Sequence, residues 1–512
     1  MTAATPGVSL SWLFDGIAAL PANSARVTDL TLDSREVRAG SLFLALRGEH
    51  THGLCFAAEA VARGASVVLW EPGGAEDAVP WVAPGQPAPV FAAPIAGLRQ
   101  LVGRIADRFF GAPSSCLRVV GVTGTNGKTT AAYLLAQCLN GLQSDAAYMG
   151  TLGWGRPGAL AAPTHTTPDV VTVHRQLAQL HAAGVRDVAM EVSSHALDQG
   201  RVDGVRFHCA AFTNLTRDHL DYHPTMAAYG AAKARLFAVA NLGHRVINVG
   251  DGFGRELAAS YAGGAPLTAV WVGAGEAGRF ADRSLWVNEV QLELRGISLA
   301  LNGSFGTARV ATRLLGRFNA ENSVVVLGCL LTMGMSLADA GAALARCTAP
   351  PGRMELIDGA GGGKPVAVID YAHTPDALAK ALSALREHCR GVLWCVFGCG
   401  GDRDPGKRPL MGAIAGELAD RIIITDDNPR SENPAGITRA IAEGVAAAGV
   451  NSTPWCVIHD RAEEIGMALR EAVTDDMVLI AGKGHEDYQI YGATRRRFSD
   501  RHEALRHLEA AA

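Results

Sequence analysis

No two cysteines of this chain stand as Cys-x-x-Cys, although ten are present, at positions 55, 116, 138, 209, 329, 347, 389, 395, 399 and 456. A zinc ribbon or a paired redox motif therefore has no basis in the sequence. Most of the ten lie in apolar stretches, as Cys395 does in Val392-Leu393-Trp394-Cys395-Val396-Phe397, which reads as buried reduced thiols rather than a disulfide framework. An excess of one charge is lacking too: 46 Lys plus Arg against 50 Asp plus Glu leave a formal net charge of −4. A nucleic-acid footprint needs clustered cations, and the one dense run, Arg495-Arg496-Arg497, reads as a solvated hairpin edge. The N-terminus offers no positive n-region, and Asp15 interrupts its only apolar patch, so no secretory signal is expected. The apolar run 323–338 is too short to cross a bilayer and contains Gly, Ser and Thr. The expectation is a cytoplasmic, monomeric protein with no membrane span and no nucleic-acid partner.

What is present is apolar mass: 48% hydrophobic and 19% charged residues in a chain of 512, enough for about three domains. Residues 1–110 mix short strand-like runs (41–46, 65–70) with a helical stretch at 56–62 and a Gly/Pro-rich loop at 71–89. Small turn-formers at Gly111-Ala112-Pro113-Ser114-Ser115 mark a linker. Residues 111–347 then open with a β-branched strand (117–122), a Gly-rich turn and a helix from about 128 to 140, and strand and helix signals alternate to about 345. After Thr348-Ala349-Pro350-Pro351-Gly352, residues 348–512 repeat the α/β pattern with strands at 366–369, 392–397, 422–425 and 477–480. Ligands are expected at the carboxyl ends of such strands.

The densest motif is Gly121-Val122-Thr123-Gly124-Thr125-Asn126-Gly127-Lys128-Thr129-Thr130. Glycines let backbone N–H groups turn inward, and the helix N-terminus adds positive potential, which makes an anion cradle. Lys128 is placed for the β/γ-phosphates of a nucleotide triphosphate and Thr129 for Mg²⁺. The match to Gly-x-x-x-x-Gly-Lys-Thr is imperfect, since Val122 stands where the first glycine belongs. Downstream, Asp187-Val188-Ala189-Met190-Glu191 reads as a buried strand ending in an acid, suited to Mg²⁺ or equally to capping the next helix. Arg217-Asp218-His219-Leu220-Asp221-Tyr222-His223 has metal-like or acid/base-like density, and a polar loop held by its own hydrogen bonds would look the same.

Thr-Gly-Thr-Asn-Gly-Lys-Thr-Thr resembles the ATP loop of the Mur ligases and of their relative folylpolyglutamate synthetase; Glu191-Val192-Ser193-Ser194-His195 resembles a Mur ligase signature. The resemblance runs from about residue 29 to about 501. It implies a three-domain α/β architecture: a smaller N-terminal α/β domain for the UDP substrate (1–110), a central P-loop ATPase-type domain for ATP (111–347) and a C-terminal Rossmann-like domain for the amino acid (348–512). It implies ATP as co-substrate and Mg²⁺ as cofactor. It assigns Gly124, Thr125, Asn126, Gly127, Lys128, Thr129, Thr130, Asn319, Asn322 and Arg353 to ATP. Thr129, Glu191, His219 and Lys233 fall to the metal, the lysine as a carbamate; Lys128, Glu191, His219 and Lys233 become the catalytic set.

Within the family, Thr31-Leu32-Asp33-Ser34-Arg35 is similar to the uridine-site motif of the branch that adds diaminopimelate or lysine. That likeness gives Leu32, Ser34, Glu49, His50, Thr51, Thr166, Thr167, Ser193, Gln199 and Arg201 to UDP-MurNAc-L-Ala-D-Glu, with the contact of His165 open. Gly400-Gly401-Asp402-Arg403-Asp404 and Asp427-Asn428-Pro429-Arg430 follow strands, where either a ligand loop or a plain turn is possible. Asp-Asn-Pro-Arg resembles the diaminopimelate signature: that amino acid has one carboxylate more than lysine, and an arginine fork complements it. Gly482-Lys483-Gly484-His485-Glu486 completes the likeness, so Arg403, Asp427, Asn428, Pro429, Arg430, Gly482 and Glu486 are assigned to meso-diaminopimelate. His219, His373 and solvent stay open as acceptors of the amine proton.

Overall fold

A computed structural model describes residues 7–48, 50–73, 90–142, 144–163, 165–261, 264–273, 281, 283–359, 363–448 and 453–510. The chain divides into two compact units, the first made of Met1–Ala132, Gln143–Ile247 and Asp251–Leu267, the second of Tyr133–Leu142, Asn248–Gly250 and Thr268–Ala512.

In the first unit the strands Asp29–Thr31, Ser41–Ala45, Val67–Trp70 and Phe91–Pro94 form a parallel sheet in chain order. The two middle strands are buried along their whole length, as expected when both faces are covered. Leu42, Leu44 and Leu69 pack there with Val102 and Ile105 of the helix Leu98–Phe109. A second sheet carries Ala146–Gly150, Asp187–Glu191, Arg118–Thr123, Phe207–Phe212 and His244–Asn248 side by side and parallel. Gly153–Arg156 and Ala159–Ala161 add an antiparallel edge. The β-branched run Val119-Val120 and Val122 fills its central strand, with exposures of 1% or less. Register aligns the strand ends: Glu191 pairs with Val122 and Phe212 with Thr123, so three strands end level and their loops emerge together.

In the second unit the alternation expected to residue 345 breaks. Arg283–Glu293, Gly296–Gly303 and Ala308–Thr312 are consecutive antiparallel strands, and no helix lies between residues 283 and 317. The two-residue link Leu294-Arg295 leaves room for a hairpin and none for a crossover helix. The helices Phe318–Thr332 and Leu337–Ala345 come next. The last sheet runs Glu355–Ile357, Val366–Asp370, Met477–Ala481, Leu393–Phe397, Arg421–Ile424, Trp455–Val457, parallel except at its first strand. The loops after Met477–Ala481, Leu393–Phe397 and Arg421–Ile424 are therefore spatial neighbours. Arg495, Arg496 and Arg497 lie on an exposed strand of the hairpin Tyr488–Tyr491/Thr494–Arg497. No helix among the described residues is long and apolar enough to cross a membrane.

Candidate active site

The phosphate loop connects Arg118–Thr123 to the helix Lys128–Gly141 and is tied down by the neighbouring strand end. Thr125 N–H donates to the Asn214 carbonyl (2.8 Å), and Asn126 N–H to Asn214 Oδ1 (2.9 Å). Thr213 Oγ1 donates to the Asn126 carbonyl at 2.6 Å. Gly124 has φ +150°, and a Cβ there would fall inside the Thr213 hydroxyl, so only glycine fits. Lys128 Nζ folds over the loop, donating to the carbonyls of Gly124 (3.0 Å) and Thr125 (2.8 Å). The first turn of the helix presents N–H groups without intrahelical acceptors, the anion cradle read from Gly127-Lys128-Thr129-Thr130.

Glu191 is 1% exposed at the tip of its strand. Its Oε2 accepts from Thr129 Oγ1 at 2.9 Å, and its Oε1 from Tyr148 Oη and from the Thr151 N–H at 2.9 Å. The loop threonine and the strand-end acid are thus joined directly, whereas the capping alternative finds no support: the next helix is capped by Ser193, whose Oγ accepts from Ala196 N–H. Tyr148 and Thr151 are not legible in the sequence, because the parallel pairing of Ala146–Gly150 with Asp187–Glu191 is what delivers them.

Lys233 lies in the helix Met226–Ala234 and is also 1% exposed. Its Nζ donates to the Gly124 carbonyl at 2.7 Å and sits 4.3 Å from the Tyr229 ring centre. Burial, and next the charge of Lys128 on the same carbonyl, push its amine down to about 6, with Asp218 opposing. The Tyr229 ring also neighbours that of His219, at 6.0 Å. His219 has φ +51° and stands edge-on to His195 at 4.9 Å. His195 is held below the usual imidazole range by burial, then by His219 and His223. No hydrogen bond among those described joins His219 to Thr129, Glu191 or Lys233.

A cavity of about 790 Å³ in the first unit is lined by Leu32, Gly48, His165, Gln199, Arg201 and Tyr222, and by Arg47 and Arg99, which the sequence does not single out. Arg201 donates to Gln199 Oε1 and to the Thr167 carbonyl, so the assigned pair is already interlocked. Other assigned groups are engaged by the protein. Ser34 Oγ bonds Glu59 (3.0 Å), Thr167 Oγ1 donates to the Glu191 carbonyl (2.9 Å), and Thr166 Oγ1 meets Thr151 Oγ1 (3.2 Å). His50 and Thr51 are exposed, the latter's carbonyl accepting from Gly48 N–H, and Glu49 lies outside the described residues.

In the second unit Asn319 and Asn322 are buried at the start of the helix Phe318–Thr332, Asn322 Nδ2 donating to Asn319 Oδ1 at 2.8 Å. The Arg353 guanidinium stands 5.4 Å from the Tyr371 ring centre, and its buried Nε has no hydrogen-bond partner among the described residues.

The loop Asp427-Asn428-Pro429-Arg430 folds against Gly400-Gly401 and the segment 482–490. Arg430, with φ +52°, donates Nη1 to the Gly401 carbonyl at 2.6 Å, and its own N–H to the Ile490 carbonyl. A Cβ on Gly401 would fall on the Pro429 carbonyl, which explains the glycine. Gly482 donates to the Asp370 carbonyl, and Arg403 is exposed in its loop. At the centre is a residue given no role from the sequence. Lys483 is fully buried, with Nζ 3.4 Å from Asp427 Oδ1, 3.2 Å from Asn428 Oδ1 and 3.3 Å from Glu486 Oε2.

A triphosphate-type loop carrying a Thr–Glu pair, on a chain with a second parallel sheet whose loops gather acids and an arginine, is the layout of an ATP-dependent acid–amino-acid ligase. Residues 26–110 match the Mur ligase family catalytic domain, 122–330 the Mur ligase middle domain and 352–484 the Mur ligase glutamate ligase domain. The chain belongs to the Mur ligase family. It is 48% identical over 490 residues to the UDP-N-acetylmuramoyl-L-alanyl-D-glutamate--2,6-diaminopimelate ligase of Ectopseudomonas mendocina, covering 95% of this chain and 96% of that one. It is 47% identical over 493 residues to the enzyme of that name from Xanthomonas campestris pv. campestris, covering 96% of each. A solved structure of a ligase with the same name superposes with a TM-score of 0.75 at 34% identity, covering 99% of both chains.

Proposed function

We propose that this chain adds meso-diaminopimelate to UDP-MurNAc-L-Ala-D-Glu, converting ATP to ADP and phosphate, in the synthesis of peptidoglycan precursors. The observation that carries the chemistry is the phosphate loop whose Thr129 hydroxyl is bonded to the buried Glu191 carboxylate. The amino-acid assignment is supported by the relatives' shared name over nearly the whole chain and by the arginine in Asp427-Asn428-Pro429-Arg430.

The γ-carboxylate of the D-glutamyl residue attacks the γ-phosphorus of ATP, the bond to the bridging oxygen breaks, and ADP leaves an acyl phosphate. The amine nitrogen of diaminopimelate then adds to the acyl carbon, the C–O bond to phosphate breaks, and the amide, phosphate and a proton result. Lys128 lies over the loop and is placed to neutralise phosphoryl oxygens as charge moves, the main catalytic contribution in phosphoryl transfer. Thr129 Oγ1 and Glu191 Oε2 are hard oxygen donors of the kind Mg²⁺ takes, and bound there the ion would add further neutralisation of those oxygens. His219 and Lys233 complete the proposed metal set. Lys233, pushed down to about 6, is largely unprotonated at neutral pH, and the free amine is the form that adds carbon dioxide to become a carbamate.

Residues 1–110 take the UDP end of the nucleotide substrate, 111–347 bind ATP and 348–512 the amino acid. The chain is proposed to act as a monomer. Ten free thiols support a reducing, cytoplasmic setting. The test is a product assay by mass with diaminopimelate and lysine in competition. Phosphate release that needs ATP, the nucleotide-sugar and diaminopimelate together is expected, and equal use of lysine would overturn the specificity.

A further inference from the structure

We propose that Lys483 is a positioning and specificity-determining residue of the amino-acid site, setting its charge balance so that a net-neutral diamino dicarboxylate is taken in preference to a net-positive amino acid. This rests on the function proposed above and deepens it. Lys483 is 0% exposed, and a buried ammonium persists only where acceptors compensate it. Here the acceptors are three assigned side chains from two loops: Asp427, Asn428 and Glu486.

That geometry has two effects. First, Lys483 (3.2 Å) and the Ile490 N–H (3.1 Å) both donate to Asn428 Oδ1, which turns the amide so that Nδ2 donates to Glu486 Oε2 at 3.0 Å. Both contacts to Glu486 are made on Oε2, and among the described residues none is made on Oε1, which is left for a substrate ammonium. Second, Lys483 adds a buried positive charge to those of Arg403 and Arg430, against Asp427 and Glu486. Diaminopimelate at neutral pH carries two ammonium and two carboxylate groups and so brings no net charge, whereas lysine brings one positive charge. Without Lys483 that positive excess is gone, and the pocket discriminates less against the cation.

The experiment uses full-length K483M, K483Q and K483R, each checked first by circular dichroism and thermal unfolding, with kcat and KM measured for both amino acids, ATP and the nucleotide-sugar. The neutral variants are expected to raise KM for diaminopimelate roughly 10–100-fold and to lower the diaminopimelate-to-lysine ratio of kcat/KM by about tenfold or more, as loss of one close charge implies. KM for ATP and the nucleotide-sugar should stay within about twofold, a split that general damage to the fold does not produce. K483R, which keeps the charge, should keep the wild-type ratio within about threefold. The proposal is overturned if a folded neutral variant retains the wild-type ratio, if K483R loses it as fully as K483M does, or if neither neutral variant folds, since Lys483 would then serve folding alone. A native chain that does not join diaminopimelate at all would instead sink the functional reading on which this rests.

Discussion

Glu464 sits in the helix Arg461–Glu471 at 0% exposure, and neither carboxyl oxygen completes a hydrogen bond of normal geometry among the described residues. Arg461, one turn away, is committed to Asp500 through two bonds of 2.7 and 2.8 Å. Burial pushes the Glu464 carboxyl up to about 9; Thr425, Arg461 and the Ile458 N–H oppose the rise, and Asp426 adds to it. The folded state therefore holds this proton more tightly than the unfolded chain, whose carboxyl titrates near 4.5. Stability contributed by the neutral carboxyl is fully present below that unfolded value and is lost as pH climbs towards 9. Glu464→Gln cannot ionise, so its stability relative to the native protein should grow with pH. At 1.36 kcal/mol per unit, the relative gain between pH 5.5 and 7.5 is about 3 kcal/mol, or roughly 100-fold in an opening equilibrium. Any fixed cost of seating the amide cancels in that difference. Hydrogen exchange of the 461–471 peptide, compared between the two proteins at the same pH, reads it as a ratio of protection factors. A ratio that is the same at both pH values would refute the buried, neutral carboxyl.

Gly124→Ala should weaken ADP binding roughly 10–100-fold by titration calorimetry, because the new methyl group strains the φ +150° turn against Thr213; unchanged affinity would mean the loop is not the nucleotide cradle. Arg430→Lys keeps the charge and loses the fork, so KM for diaminopimelate should rise about tenfold or more while KM for ATP holds; equal use by both proteins would remove Arg430 from the amino-acid site. Arg461→Met leaves Asp500 buried and unpaired at 0% exposure and should destabilise by about 3–5 kcal/mol, seen as early loss of the C-terminal peptides' protection on titration with urea.

The phosphate loop is legible because its constraints are local: glycine where φ is positive, lysine and threonine at fixed spacing, a strand before and a helix after. Glu191 is legible for the same reason, as the acid closing a buried strand. Its partners Tyr148 and Thr151 are not, since only the parallel register of two strands brings residues 40 and more positions apart onto one carboxylate. The hairpins of 283–312 pass for part of an alternating pattern because short apolar runs do not reveal whether a helix or a two-residue turn joins them. Thr167, Thr166 and Ser34 come from likeness alone. Their hydroxyls prove to be bonded within the protein, at Glu191, Thr151 and Glu59.

Two lysines show where sequence reasoning stops. Nothing in the pattern around Lys233, in an alanine-rich helix, or Lys483, in a glycine-rich turn, marks burial, and both are buried to 1% or less. What separates them is the company each keeps. Lys233 meets one carbonyl, one aromatic face and a second ammonium, an environment that pushes its amine down to about 6 beside the phosphate loop. Lys483 meets two carboxylates and an amide oxygen within 3.4 Å, an environment built to hold a fixed positive charge. The same residue type is thus biased towards the free amine in one unit and surrounded by carboxylates in the other, by groups far away in sequence. A single exchange separates the two roles: supplying a carboxylate next to Lys233 should hold it as an ammonium and block carbamate formation, whereas Lys483 already has that carboxylate in Glu486.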